Sequence, residues 1–194
     1  MLDLERDLQI VEAITADLKA HLLGDSLYWT LRASGPSSYP FPKGTLGGLL
    51  LRLHRLEALA HLLSSEQRRR LTEAAAQARE QMNTWAVQAW QKAHREINTR
   101  LDAWAAYLDE CEDDPARYGP EYPVQAEGRT IVALLMDFAG EPALQSRLDQ
   151  LDRRLAGLVE ESNFVWDAVQ APAFPRSRFR WLYVRPAQKR KKEA

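Results

Sequence analysis

SEQRRRLTEAAAQAREQMNTWAVQAWQKAHREINTRLDAWAAYLDECEDD, residues 65–114, contains neither glycine nor proline, and Pro115 follows it directly. Alanine and unbranched side chains lose little freedom in a helix, so this composition favours helix throughout. One unbroken helix of about 45 residues would reach about 68 Å at 1.5 Å per residue. Its apolar residues fall on two stripes. Leu71, Ala75, Ala78, Met82, Trp85 and Ala89 alternate steps of four and three, a heptad seam. Trp90, Ala93, Ile97, Leu101, Trp104, Leu108 and Cys111 continue it with an offset of one residue. A straight helix cannot hold both stripes against one partner, which predicts a bend or twist between His94 and Arg100.

The flanking sequence carries the same period. Upstream, Leu4, Leu8, Val11, Ile14, Leu18 and Leu22 form one stripe, with Gly24 as its stop. A second helix is predicted over Thr45–Leu63, where nine leucines widen the apolar face, and Ser64 or Ser65 with Glu66 and Gln67 marks a fresh start. Downstream, Val124–Ala139 places Ile131, Leu134, Leu135 and Phe138 on one side. The last helix is predicted from Leu144 through Leu148, Leu151, Leu155, Leu158, Ser162, Val165 and Val169, a seam with one polar place.

Proline and glycine punctuate the rest. The stretch Ser34–Gly48 holds three prolines, four glycines and three serines and reads as a long surface loop. Leu27–Leu31 suits either a short strand or one more helical turn. Phe179–Val184, bracketed by Pro172, Pro175 and Pro186, reads as an extended arm whose backbone needs a partner, and Leu27–Leu31 is the candidate. Lys189–Ala194 is expected to be disordered. The fold class is therefore all-α: an elongated antiparallel bundle of four to five helices with a long kinked central helix. Residues 1–171 would form the body and residues 172–194 the basic, aromatic arm and tail.

Composition narrows the setting. The chain has 194 residues and a formal net charge of −1, and no apolar run approaches the roughly 20 residues that a bilayer crossing requires. With one cysteine, Cys111, there is no disulfide framework, so a cytoplasmic protein without a membrane segment is expected. The near-zero net charge hides an asymmetry. Residues 171–194 carry eight basic side chains against Glu193 alone, whereas the preceding 170 residues hold 18 basic and 26 acidic ones.

Few patterns suggest chemistry, and no cofactor or metal is implied. Gly44-Thr45-Leu46-Gly47-Gly48 lacks the lysine of a phosphate-binding loop, although amides at the start of the following helix, beside Lys43, have the polarity to hold an anion. His54, Glu57 and His61 share a helical face, but the histidines are two turns apart, about 10 Å, too far to ligate one ion. Acids cluster at Asp109, Glu110, Glu112, Asp113 and Asp114, at the negative end of a helix, and call for a basic neighbour such as the tail.

Arg55 precedes His61 by six residues, a spacing similar to the arginine-to-histidine pair of helical ribonucleases of the HEPN type. The resemblance spans seven residues, and Leu56 stands where those motifs carry a polar residue. It implies metal-independent RNA cleavage, with Arg55, Glu57 and His61 as the catalytic face.

In the arm, Arg176, Arg178, Phe179, Arg180, Trp181, Tyr183 and Arg185 interleave cations with rings. Arginines neutralise phosphates and rings stack on unpaired bases, so this is the pattern of a surface for single-stranded nucleic acid or an acidic protein. In the competing arrangement the rings pack over an open end of the body and the arginines pair with its acids. The sequence thus favours a non-catalytic binding or scaffold protein over a ribonuclease. Self-association through the 144–169 seam is a further alternative.

Overall fold

The computed structural model describes residues 2–31 and 41–187. Among these the chain forms seven α-helices and one two-stranded antiparallel sheet. The helices are α1 (Leu4–Leu23), α2 (Leu46–Ala58), α3 (Ser65–Thr84), α4 (Ala86–Asp113), the single turn α5 (Pro115–Tyr118), α6 (Tyr122–Ala139) and α7 (Pro142–Leu158). The strands are β1 (Val159–Glu161) and β2 (Val184–Pro186).

Local chemistry sets the helix starts. Asp3 caps α1 by accepting the Arg6 N–H at 2.9 Å, and Thr45 caps α2 by accepting the Gly48 N–H at 2.9 Å. Ser64 and Gln67 form a reciprocal capping box at α3, which identifies Ser64 as the cap. The stripe expected in α1 is the stripe that is buried: Leu8, Val11, Ile14, Leu18 and Leu22 are all core residues. Periodic burial, more than intrinsic propensity, holds these helices.

The long glycine-free stretch is divided. Trp85 leaves helical geometry, with φ −112° and ψ 43°, while its N–H still reaches Gln81 O and its carbonyl still accepts the Ala89 N–H at 2.8 Å. The bend therefore falls at Trp85 and not between His94 and Arg100, which lie inside α4. Reorienting the axis there removes the conflict between the two stripes: α3 turns its apolar face to α1, while α4 packs mainly on α6 and α7. Ala89, not Trp90, opens the second stripe, and Trp90 is 42% exposed. This division raises the number of helices of 13 residues or more to six, where four to five were expected.

The predicted last helix also stops early. α7 ends at Leu158, and Val169, expected on its seam, is 49% exposed. Val159–Glu161 becomes β1 and pairs antiparallel with β2 in the register Val159↔Pro186, Glu160↔Arg185 and Glu161↔Val184. Beyond the strands, Ser162 N–H donates to Tyr183 O and Val165 N–H to Leu182 O, each at 2.9 Å. Backbone donors that a longer helix would have satisfied internally are satisfied by the C-terminal segment instead. That segment is not one extended arm, because Arg180–Tyr183 forms a 3-10 turn and only Val184–Pro186 is extended.

Leu27–Leu31 is not its partner. Trp29 makes an isolated bridge to Gly44, whose N–H donates to Trp29 O at 2.8 Å, and a Cβ on Gly44 would meet the indole at 2.6 Å. Of the predicted Ser34–Gly48 loop, residues up to Pro40 lie outside the described residues, as does the tail expected to be disordered. No helix among the described residues is long and apolar enough to cross a membrane.

Candidate functional site

In the C-terminal segment the interleaved pattern sorts into two faces. Phe179 and Trp181 point into the body and belong to the core together with Phe174, Leu182 and Val184. The core residues are locked by polar contacts at their rims. Tyr122 O–H donates to Trp181 O at 2.7 Å and the Trp181 indole N–H donates to Thr130 Oγ1 at 2.9 Å. Arg129 lies 3.6 Å over the Trp181 ring and makes a two-pronged bond to Asp152 at 2.9 and 2.6 Å. Tyr183 is half-buried and its hydroxyl donates to Phe174 O at 2.9 Å. Aromatic side chains of this size gain most by burial, and of the two arrangements the sequence leaves open the rings take the one in which they pack over the body.

The arginines remain outside. Arg176 pairs with Glu161, Arg178 with Asp137, Arg180 with Glu161 at 3.4 Å and Arg185 with Glu160 at 2.8 Å. Four guanidiniums thus share three carboxylates. Arg180, with the longest contact, is also the most open, its side chain 72% exposed. Such solvent-facing pairs are weak, typically under about 1 kcal/mol each, and exchange readily with other anions.

The structure does not assemble the ribonuclease-like face. α2 ends at Ala58, and His61 lies exposed in a 3-10 turn, Ala60–Leu62, beyond the helix. The turn forms because Leu59 and Leu63 both enter the core. Arg55 donates to Asp7 Oδ2 at 2.7 Å on α1, and Glu57 pairs with Arg79 on α3. His54 holds its Nε2 2.7 Å from Ala173 O and packs against Phe174 and Phe179. Through these contacts α2 is tied to α1, to α3 and to the segment at Ala173. No cluster of three His, Cys, Asp or Glu among the described residues is placed for a metal ion.

The anion at the start of α2 is internal. Glu96, wholly buried on α4, accepts the Gly47 N–H at 2.9 Å and receives the Arg100 Nε–H at 2.8 Å. A side chain of the protein therefore takes the place where the helix dipole would draw a phosphate. The one signal for this in the sequence is a glutamate on an apolar stripe with an arginine four residues later. The acids at the end of α4 are relieved by α7: Arg154 reaches Asp109 at 2.5 Å and Glu112 at 2.6 Å. The tail once expected in that role lies outside the described residues. Cys111 is buried beside Tyr107, and burial raises its thiol pKa, so the thiolate needed for reactivity is disfavoured.

Compared with protein-family models, with curated proteins and with solved structures, the chain matches none of them.

Proposed function

We propose that this protein is a non-catalytic binding protein that docks an acidic partner protein on the arginine row Arg176, Arg178, Arg180 and Arg185. One observation carries the reading: four outward guanidiniums are mounted on a segment locked by buried Phe179 and Trp181 and face only three carboxylates. Because the frame is already ordered, binding costs little conformational entropy. The bonds these arginines now make, guanidinium to carboxylate, are those that an acidic partner would offer. Burial of Phe179 and Trp181 takes away the stacking that single-stranded nucleic acid would use, which makes an acidic protein the better occupant.

The test is fluorescence anisotropy with a labelled glutamate-rich peptide and a labelled single-stranded oligonucleotide, each at low and raised salt. The peptide is expected to bind in a salt-sensitive way, and changing all four arginines to glutamine is expected to abolish binding. Peptide binding that survives the fourfold change would end this reading. Binding of the oligonucleotide alone would shift it to nucleic acid.

A further inference from the structure

The arginine row borders a hollow that its ion pairs do not fill. A cavity of about 290 Å³ opens between the last turns of α7 and the C-terminal segment, with Leu155, Ala156 and Val159 on one side, Trp181 on the other, and exposed Arg178 and Arg180 among its walls. Its apolar surface can be reached from outside. Ala156 is exposed and Val159 half-buried, while Leu155 and Trp181, 6% and 7% exposed, form the floor. The volume lies at the foot of the range of about 300–1,000 Å³ typical of pockets for whole small molecules, and it suits a single inserted side chain.

The charges around the hollow favour an acidic visitor. Asp152, the carboxylate in its wall, is already held on both oxygens by Arg129, at 2.9 and 2.6 Å. Outside it, Arg178 pairs with Asp137, and Arg180 shares Glu161 with Arg176. These four guanidiniums meet three carboxylates, and the loosest contact, that of Arg180 at 3.4 Å, belongs to a residue of the hollow itself. An aromatic side chain fits better than an aliphatic one. Arg178 already lies 5.0 Å over the Phe179 ring and Arg129 3.6 Å over that of Trp181, and Arg180, its side chain 72% exposed, is free to cover a third ring in the same way.

We infer that the hollow receives a phenylalanine side chain of the acidic partner, with the carboxylates that flank it in sequence lying on Arg178 and Arg180. The inference rests on the arginine row as the docking face and adds what the partner segment must carry, an aromatic residue set between acids. A ring seated in a pocket is the kind of anchor that dominates the energy of an interface, whereas exposed ion pairs contribute little.

The experiment is fluorescence anisotropy on the full chain at low salt with three short glutamate peptides that differ only in a central phenylalanine, leucine or alanine. The phenylalanine peptide is expected to bind at least about tenfold more tightly than the alanine peptide, the gain from burying one such side chain, and leucine is expected to fall between them. Carbon-13 NMR places the ring: the phenylalanine peptide should shift the methyl groups of Ala156 and Val159, and the alanine peptide should not. Ala156→Phe, a change at an exposed helix position, should fill the hollow and bring the phenylalanine peptide down to the level of the alanine peptide, whose own binding stays unchanged. If all three peptides bind equally, the hollow is not an anchor site and the arginine row stands without it. If none binds, the arginine row falls and the inference with it. Leucine binding as tightly as phenylalanine, or unmoved Ala156 and Val159 methyls, would overturn the inference on the unaltered protein, whether or not the variant folds.

Discussion

Glu96 Oε2 accepts the Gly47 backbone N–H at 2.9 Å, and this bond ties the buried middle of α4 to the first turn of α2. The carboxylate also neutralises Arg100, whose Nε–H donates to Oε1 at 2.8 Å. Removing one partner of such a buried pair leaves the other without compensation. Glu96→Ala should therefore lose about 3–5 kcal/mol in urea unfolding, whereas Glu96→Gln, which keeps an acceptor for Gly47, should lose clearly less. Equal losses in the two variants would show that the hydrogen bond to Gly47 contributes nothing.

Gly47 itself is fixed by the approach of α6. A Cβ there would lie 2.2 Å from Ile131 Cγ2 and 2.7 Å from Glu96 Oε1, so something must move. Gly47→Ala is expected to destabilise by about 1–3 kcal/mol through overpacking. Combining it with Ile131→Ala should cost less than the two separate changes added together, a coupling that a double-mutant cycle measures. Strict additivity would place the strain elsewhere.

These two contacts mark where the sequence stops being legible. Apolar periodicity is a local property, and it located the stripes of α1, α4 and the first part of α7, including Ala93, Ile97 and Leu101. The end of α7 was hidden because Val159–Glu161 is claimed by Val184–Pro186, and nothing in a heptad pattern reports a strand 25 residues away. The bend at Trp85 was displaced for a similar reason: small Ala89 and Ala93 fit against the neighbouring helices, where the larger Trp90 stays outside. In the C-terminal segment the alternation of rings and arginines leaves two arrangements open, and the one with the rings packed over the body and the arginines on its acids is the one that forms. Thr130, Tyr122 and Arg129 on α6 decide it by receiving Trp181. The hollow beside Arg180 was invisible for the same cause, since Ala156 and Trp181 come from distant stretches.

Stability should fall in mildly acidic solution because of His21. Its ring stacks on Trp29 at 3.5 Å, its Nε2 has no partner, and burial, aided by the charge of Lys92, pushes its pKa down to about 3 from an ordinary 6.5. Between those values the unfolded chain binds the proton and the folded chain does not, so unfolding is favoured as pH drops. The contribution is complete above pH 6.5 and declines below it, by about 2 kcal/mol at pH 5. Urea midpoints at pH 7 and pH 5 should separate more for the natural protein than for His21→Leu. Equal separations would remove His21 as the source.

The lock on the C-terminal segment makes a sharper demand. Phe174, Phe179, Leu182 and Val184 are core residues, so cutting the chain after Ala171 removes part of the body and not merely a binding arm. Truncation should give a protein with reduced helicity and strong binding of a hydrophobic dye, which makes point substitution of the arginines the cleaner test of docking. Within the lock, Tyr122 O–H is the donor to the buried Trp181 carbonyl at 2.7 Å. Tyr122→Phe keeps the ring and deletes that donor, and leaving a buried acceptor unpaired costs about 1–3 kcal/mol. Trp181→Ala removes a large core side chain with its bonds to Thr130 and Arg129, and should cost more, about 3–5 kcal/mol. Thermal melts followed by circular dichroism check both. A melting temperature unchanged in Trp181→Ala would mean that the segment is not held on the body in solution, and the argument that its arginines stand on a preordered frame would fall with it.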